Sequence, residues 1–142
     1  MLERYEEALT ANDRAIQLDP TNALFYTNKG RVLSLLRRYK EALVLCDQAL
    51  QLNPTRGDTY VGKGNALVQL YRYEEALACC NWAIQLDPSH AGAYSCKGLA
   101  LSGLHRYEEA LSAYNQALQL DPSHPGAYYG KNMMLKMLNR YA

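Results

Sequence analysis

Residues 57–90 read GDTYVGKGNALVQLYRYEEALACCNWAIQLDPSH, and residues 91–124 read AGAYSCKGLALSGLHRYEEALSAYNQALQLDPSH. The two stretches agree at 20 of 34 positions. The same period runs outward in both directions. Tyr5, Tyr39, Tyr73, Tyr107 and Tyr141 step by 34, as do Tyr26, Tyr60, Tyr94 and Tyr128. Pro20, Pro54, Pro88 and Pro122 keep the step, as do Ala8, Ala42, Ala76 and Ala110, and then Gly30, Gly64 and Gly98. A repeat of this length sets the architecture before any single residue is interpreted.

With Ala23, Gly57, Ala91 and Pro125 as position 1, each repeat carries two apolar stripes. The first, at positions 4, 8, 11 and 14, is Tyr60, Gly64, Leu67 and Leu70 in the repeat quoted. The second includes Tyr73, Ala76, Leu77, Cys80, Ala83 and Ile84. Both have helical spacing. A short polar link such as Tyr71-Arg72 separates them, and Leu-Asp-Pro or Leu-Asn-Pro ends the second, because proline stops a helix and biases its predecessor away from helical dihedrals. Each repeat is therefore an antiparallel pair, helix A then helix B. One pair cannot bury both faces, so the pairs stack. The expected fold is all-α, a right-handed α-solenoid.

The pattern Tyr60-x2-Lys63-Gly64-x2-Leu67-x5-Tyr73-x2-Ala76-x3-Cys80-x2-Ala83-x4-Pro88 resembles the tetratricopeptide repeat. The resemblance covers the whole chain: an orphan B helix over residues 1–22, full repeats at 23–56, 57–90 and 91–124, and an orphan A helix over 125–142. One departure is systematic, Lys29, Lys63, Lys97 and Lys131 standing at position 7 where the family often has leucine. A lysine there must run its stem over apolar surface with the ammonium at the edge. The expected partner is a B-helix carboxylate such as Glu41, Glu75 or Glu109; the rival reading is a row of cations for an acidic partner.

The resemblance implies an interaction scaffold whose A helices line a concave groove for a peptide or helix of another protein. On the helical wheel the free A-helix face holds Thr27, Asn28, Arg31, Asp58, Val61, Asn65, Gln69, Ser95, Leu99, Tyr129, Met133 and Lys136. Mostly small, uncharged and partly apolar, it suits an extended or helical apolar segment; the rival reading is that the small residues serve only tight superhelical curvature. Co-chaperone domains of this family hold a C-terminal carboxylate with Lys and Asn on one A helix, Asn on the next, and Lys and Arg on a third. The corresponding residues here are Thr27, Arg31, Gly62, Gly92 and Cys96 in one register, and Val61, Asn65, Cys96, Gly126 and Gly130 in the other. Only Asn65 matches, which argues against a chaperone-tail receptor.

Other chemistry finds no footing. Apolar residues make up 49% and charged residues 20%, as in folded soluble proteins, and a net charge of +1 lacks the basic excess of a nucleic-acid binder. No apolar run spans a bilayer and the N-terminus lacks a signal peptide's apolar stretch, so the expectation is no membrane partner and a cytoplasmic location. Cys46, Cys79, Cys80 and Cys96 form no CxxC pair, and are expected to be free thiols in a reduced core. His90 and His124 share position 34, the inter-repeat turn, while His105 lies in an A–B link; no metal or cofactor site is expected. The pairs Glu74-Glu75 and Glu108-Glu109 sit at B-helix N-termini, favoured by the helix dipole. No nucleophile or phosphate-loop motif occurs, and no enzymatic activity is expected. Trp82 projects to the convex side, where a lone apolar residue needs no function.

The terminal half repeats give the second functional expectation. They suggest a piece of a longer repeat protein whose end stripes, Leu9 and Ile16 against Tyr128, Leu135 and Leu138, pair head to tail between chains into a homo-oligomer.

Overall fold

A computed structural model describes residues 2–140, the side chain of Arg140 excepted; Tyr141, last of its series, lies outside the described residues. Among the described residues eight helices follow one another: α1 (Leu2–Leu18), α2 (Ala23–Leu35), α3 (Tyr39–Leu52), α4 (Gly57–Gln69), α5 (Tyr73–Leu86), α6 (Ala91–Gly103), α7 (Tyr107–Leu120) and α8 (Pro125–Arg140). Among the described residues there are no strands. The fold is the all-α solenoid expected, with α2, α4, α6 and α8 as A helices and α1, α3, α5 and α7 as B helices.

Local chemistry sets the boundaries between helices. The A helices α2, α4 and α6 are each followed by a left-handed residue, Arg37 (φ 61°), Tyr71 (φ 61°) and His105 (φ 60°). The following N–H returns to the helix: Arg38 N donates to the Leu33 carbonyl at 2.8 Å, and Arg72 to Leu67 and Arg106 to Leu101 at 2.9 Å. This is a Schellman close that satisfies terminal carbonyls, built without the glycine that usually supplies positive φ. The B helices α3, α5 and α7 then start on an arginine that grips a glutamate three residues on. Arg72 Nε and Nη2 donate to Glu75 at 3.1 and 2.6 Å, and Arg106 repeats this on Glu109, as Arg38 does on Glu41. These hydrogen bonds hold all three carboxyls below their usual range. Between repeats, Asp19, Asn53, Asp87 and Asp121 accept from the backbone N–H and hydroxyl of the Thr or Ser two residues on, turning the chain into the next A helix.

Packing explains both the small residues and the curvature. Ala42, Ala76 and Ala110, with Ala49, Ala83 and Ala117, are fully buried where B helices meet A helices. Consecutive A helices also touch one another (α2 with α4, α4 with α6, α6 with α8), whereas consecutive B helices do not. The stack is therefore tighter on the A side, and the A helices form the concave face. That contact buries a second A-helix stripe absent from the wheel analysis: Thr59, Ala93 and Ala127, then Ala66, Ala100 and Met134.

The lysine ladder pairs with carboxylates, but not those expected. Lys29 Nζ meets Asp13 at 2.6 Å and Lys63 Nζ meets Asp47 at 2.7 Å, each aspartate lying on the preceding B helix. Glu41, Glu75 and Glu109 are held by their arginines instead. The equivalent of Asp13 and Asp47 is Asn81 and then Asn115 further along, and Lys97 and Lys131 make no ion pair among the described residues.

Candidate functional site

Two adjoining cavities occupy the concave face. The first, about 240 Å³, lies between α2 and α4, over the α3 residue Cys46, and reaches His90 at the start of α6. The second, about 410 Å³, continues between α4 and α6 to His124 and Gly126. Ser34, Val61 and Asn65 border both, which makes them one groove.

The sequence-derived groove residues separate into three groups. Thr27, Val61 and Ser95 are buried, at 5%, 9% and 6% exposure. The wheel placed them on a free face, but that face leans on the next A helix, so they form floor rather than reaching surface. Thr27 donates to the Ala23 carbonyl at 3.1 Å, and Thr59 donates to Thr27 Oγ1 at 2.8 Å, tying α4 to α2 across the floor. Arg31, Asn65, Gln69 and Leu99 are exposed along the groove, with Asp58 half-buried at its edge. Asn28, Tyr129, Met133 and Lys136 border neither cavity. Met133 packs on the cluster around Tyr114, and Tyr129 lies with Tyr128 over a separate depression beside Pro122 and Pro125.

Several groove residues were not on the wheel. His90 and His124 are N-caps of α6 and α8, accepting on Nδ1 from Ala93 N at 3.3 Å and Ala127 N at 3.1 Å. Accepting on Nδ1 places the proton of the neutral ring on Nε2. Capping also explains their recurrence at position 34, where Asn22 caps α2 through its amide oxygen. Arg56 holds the same position ahead of α4 and pairs with Asp58 at 3.0 Å, leaving its buried Nε without an acceptor. Arg31, by contrast, has no ion pair or hydrogen bond through its side chain among the described residues.

The cysteines require a correction. Cys80 and Cys96 are joined in a disulfide between α5 and α6, with Cα atoms 6.0 Å apart, where free thiols were expected. One lies on a B helix and its partner on the next A helix, a proximity that sequence spacing cannot report. Cys46 and Cys79 are free and buried, and burial pushes the Cys46 thiol up to about 12. Cys46 is thus a protonated, apolar patch of groove floor rather than a nucleophile. Among the described residues no group of acidic, histidine or cysteine side chains is arranged to hold a metal, and no helix is long and apolar enough to cross a membrane.

The end stripes also divide. Leu9 is only 7% exposed, part of the chain's own buried core where α1 packs on α2, so it does not present the free surface that pairing with a second copy requires. Ile16 and Leu138 are half-buried, whereas Tyr128 and Leu135 are 61% and 40% exposed. On the convex side Trp82 is 54% exposed and stacks on Tyr60 with centroids 6.4 Å apart.

The tetratricopeptide repeat model matches three consecutive segments, 23–56, 57–90 and 91–124. The chain belongs to the tetratricopeptide repeat family. No curated protein matches its sequence. Among solved structures, the thermophilic repeat protein TTC0263 of Thermus thermophilus superposes with a TM-score of 0.87 at 24% identity, over 98% of this chain and 77% of that one. MamA from Desulfovibrio magneticus RS-1 superposes at 0.81 with 26% identity, over 97% and 79%. The first repeat domain of Spaghetti (RPAP3), bound to the HSP90 peptide SRMEEVD, superposes at 0.77 with 26% identity, over 85% and 96%.

Proposed function

We propose that this tetratricopeptide repeat chain is a protein-interaction scaffold that receives a peptide or helical segment of a partner in its concave groove. The observation that carries the reading is the run of two adjoining cavities along the A helices, with Arg31, Asn65, Gln69 and Leu99 exposed over a floor of buried threonine, valine and serine. A rigid floor with a few exposed, chemically mixed side chains gives alignment first and selectivity second. The RPAP3 domain bound to an HSP90 peptide supports this use of the fold. The ligand differs from that peptide, because the carboxylate-holding positions carry Thr27, Arg31, Gly62, Gly92 and Cys96 or Val61, Asn65, Cys96, Gly126 and Gly130. The test is to select binders from a displayed library of random peptides, then remeasure them against Asn65→Arg and Leu99→Arg in the groove and Trp82→Ala on the convex face. Loss confined to the groove variants supports the reading. Loss confined to Trp82→Ala would move the site to the other face.

A second reading rests on the exposed Tyr128 and Leu135 of α8, which offer an apolar face to another copy of the chain. Sedimentation velocity over a concentration series distinguishes it: growth in mass that Leu135→Lys abolishes supports self-association, and a constant single-chain mass removes it.

A further inference from the structure

The repeats build one internal feature three times and fill it differently each time. In every repeat the B-helix residue at position 24 points between position 8 of its own A helix and position 6 of the next. In the third repeat that residue is Tyr114, only 1% exposed, with its ring lodged between Gly98 and Gly130. A Cβ added to Gly98 would stand 2.6 Å from the ring, and one added to Gly130 would overlap it. In the second repeat the place is taken by the sulfurs of Cys80 and Cys96, packed on Gly64. In the first repeat the residue is Cys46, and both flanking positions are again glycine, Gly30 and Gly62. A Cβ on either would reach no closer to the Cys46 sulfur than 3.5 and 3.9 Å. The space a tyrosine ring fills in the third repeat is thus unfilled here, and it opens into the groove as the cavity of about 240 Å³.

We infer that this notch is the groove's specificity pocket, taking one aromatic side chain of a partner peptide that carries a carboxylate beside it. The inference rests on the groove reading above and adds the chemistry of the ligand. Shape supplies the first half: two glycines, a protonated thiol, Val61 and the mutually bonded hydroxyls of Thr27 and Thr59 line a slot whose counterpart in this molecule already holds a phenol ring. Charge supplies the second: Arg31 borders the same cavity, is exposed, and has no acidic partner among the described residues, whereas the neighbouring Arg56 is occupied by Asp58. A guanidinium at the rim of such a pocket selects a carboxylate next to the buried side chain.

The molecule provides its own plug. Cys46→Tyr places a tyrosine between two glycines, as Tyr114 is placed, and is expected to fold with thermal stability no lower than that of the parent. Peptides selected from a random displayed library on the parent chain are expected to be enriched in an aromatic residue adjacent to Asp or Glu. Their affinity should fall by about tenfold or more on Cys46→Tyr, as for loss of an anchoring side chain, and weaken on Arg31→Glu. Circular dichroism and melting of Cys46→Tyr establish its fold; should it misfold, Gly62→Leu closes the slot from the opposite wall and serves in its place. Peptides that bind the plugged chain equally well but lose affinity on Leu99→Arg would overturn the pocket and leave the groove standing. Selected peptides without aromatic enrichment would do the same. A failure to select any peptide would overturn both.

Discussion

Glycine at position 8 of each repeat reads from sequence as a requirement for close helix approach, but the three sites differ and predict opposite signs for one substitution. At Gly30 an added methyl would find the Ala42 carbonyl oxygen, the Cys46 sulfur and the Leu45 Cβ all at 3.5 Å, which is ordinary contact. Gly30→Ala then keeps the intrinsic helix advantage of alanine, about 0.8–1 kcal/mol, and stabilises the chain by about 0.5–1 kcal/mol. At Gly98 the methyl would lie 2.6–2.8 Å from three atoms of the Tyr114 ring, and that ring cannot retreat because Gly130 bounds its other side. Overpacking of this kind costs about 1–3 kcal/mol, so after the helix benefit of about 1 kcal/mol Gly98→Ala is net destabilising by up to about 2 kcal/mol. Tyr114→Ala costs about 3–5 kcal/mol by cavity formation. Once the ring is gone, Gly98→Ala regains its helix benefit, and the double-mutant cycle shows a coupling equal to the relieved overpacking, about 1–3 kcal/mol. Urea unfolding followed by circular dichroism at 222 nm, with identical slopes required across the set, measures all four. If Gly30→Ala and Gly98→Ala share a sign, or if Gly98→Ala and Tyr114→Ala simply add, the argument that the position-24 side chain decides the need for glycine is wrong.

The lysine ladder divides in the same way. Lys63→Met should cost a few tenths of a kcal/mol to about 1 kcal/mol, because it strands Asp47, whereas Lys97→Met should cost nothing or stabilise; paired thermal melts check the difference. His90→Ala removes a helix cap and is expected to cost about 1 kcal/mol, with His90→Asn recovering most of it; chemical denaturation reads both. Glu41, Glu75, Glu109 and Asp87 have folded pKa values depressed by hydrogen bonds from Arg38, Arg72, Arg106 and Ser89. Their contribution is present above the ordinary carboxylate pKa and is lost as pH falls through the lower folded values. The triple variant Glu41→Gln, Glu75→Gln, Glu109→Gln should therefore flatten the acid limb of a melting-temperature profile, and an unchanged limb would refute the assignment.

The architecture was legible because its signals are local and recur. A 3.6-residue stripe, a proline after Leu-Asp and a 34-residue period report helix, stop and stack without knowledge of any distant contact. The groove was legible only as a face. The wheel gave the direction of Thr27, Val61 and Ser95 correctly relative to their own helix, but not the adjacent A helix that covers them. Position 34 carried a usable signal for His90 and His124, since an N-cap recurs wherever a helix starts, but cap geometry alone does not place a ring beside a groove.

The sequence by itself determined that helices pair and that the pairs stack, because covalent spacing and helix pitch are fixed along the chain. The tertiary structure decided which lysine meets Asp13 or Asp47, that Cys80 reaches Cys96, that Leu9 is covered, and that Cys46 leaves a notch where Tyr114 leaves none. Each of these depends on the offset between one repeat's B helix and the next repeat's A helix. That offset is set by the summed packing of small and large side chains across the interface, and no single repeat encodes it.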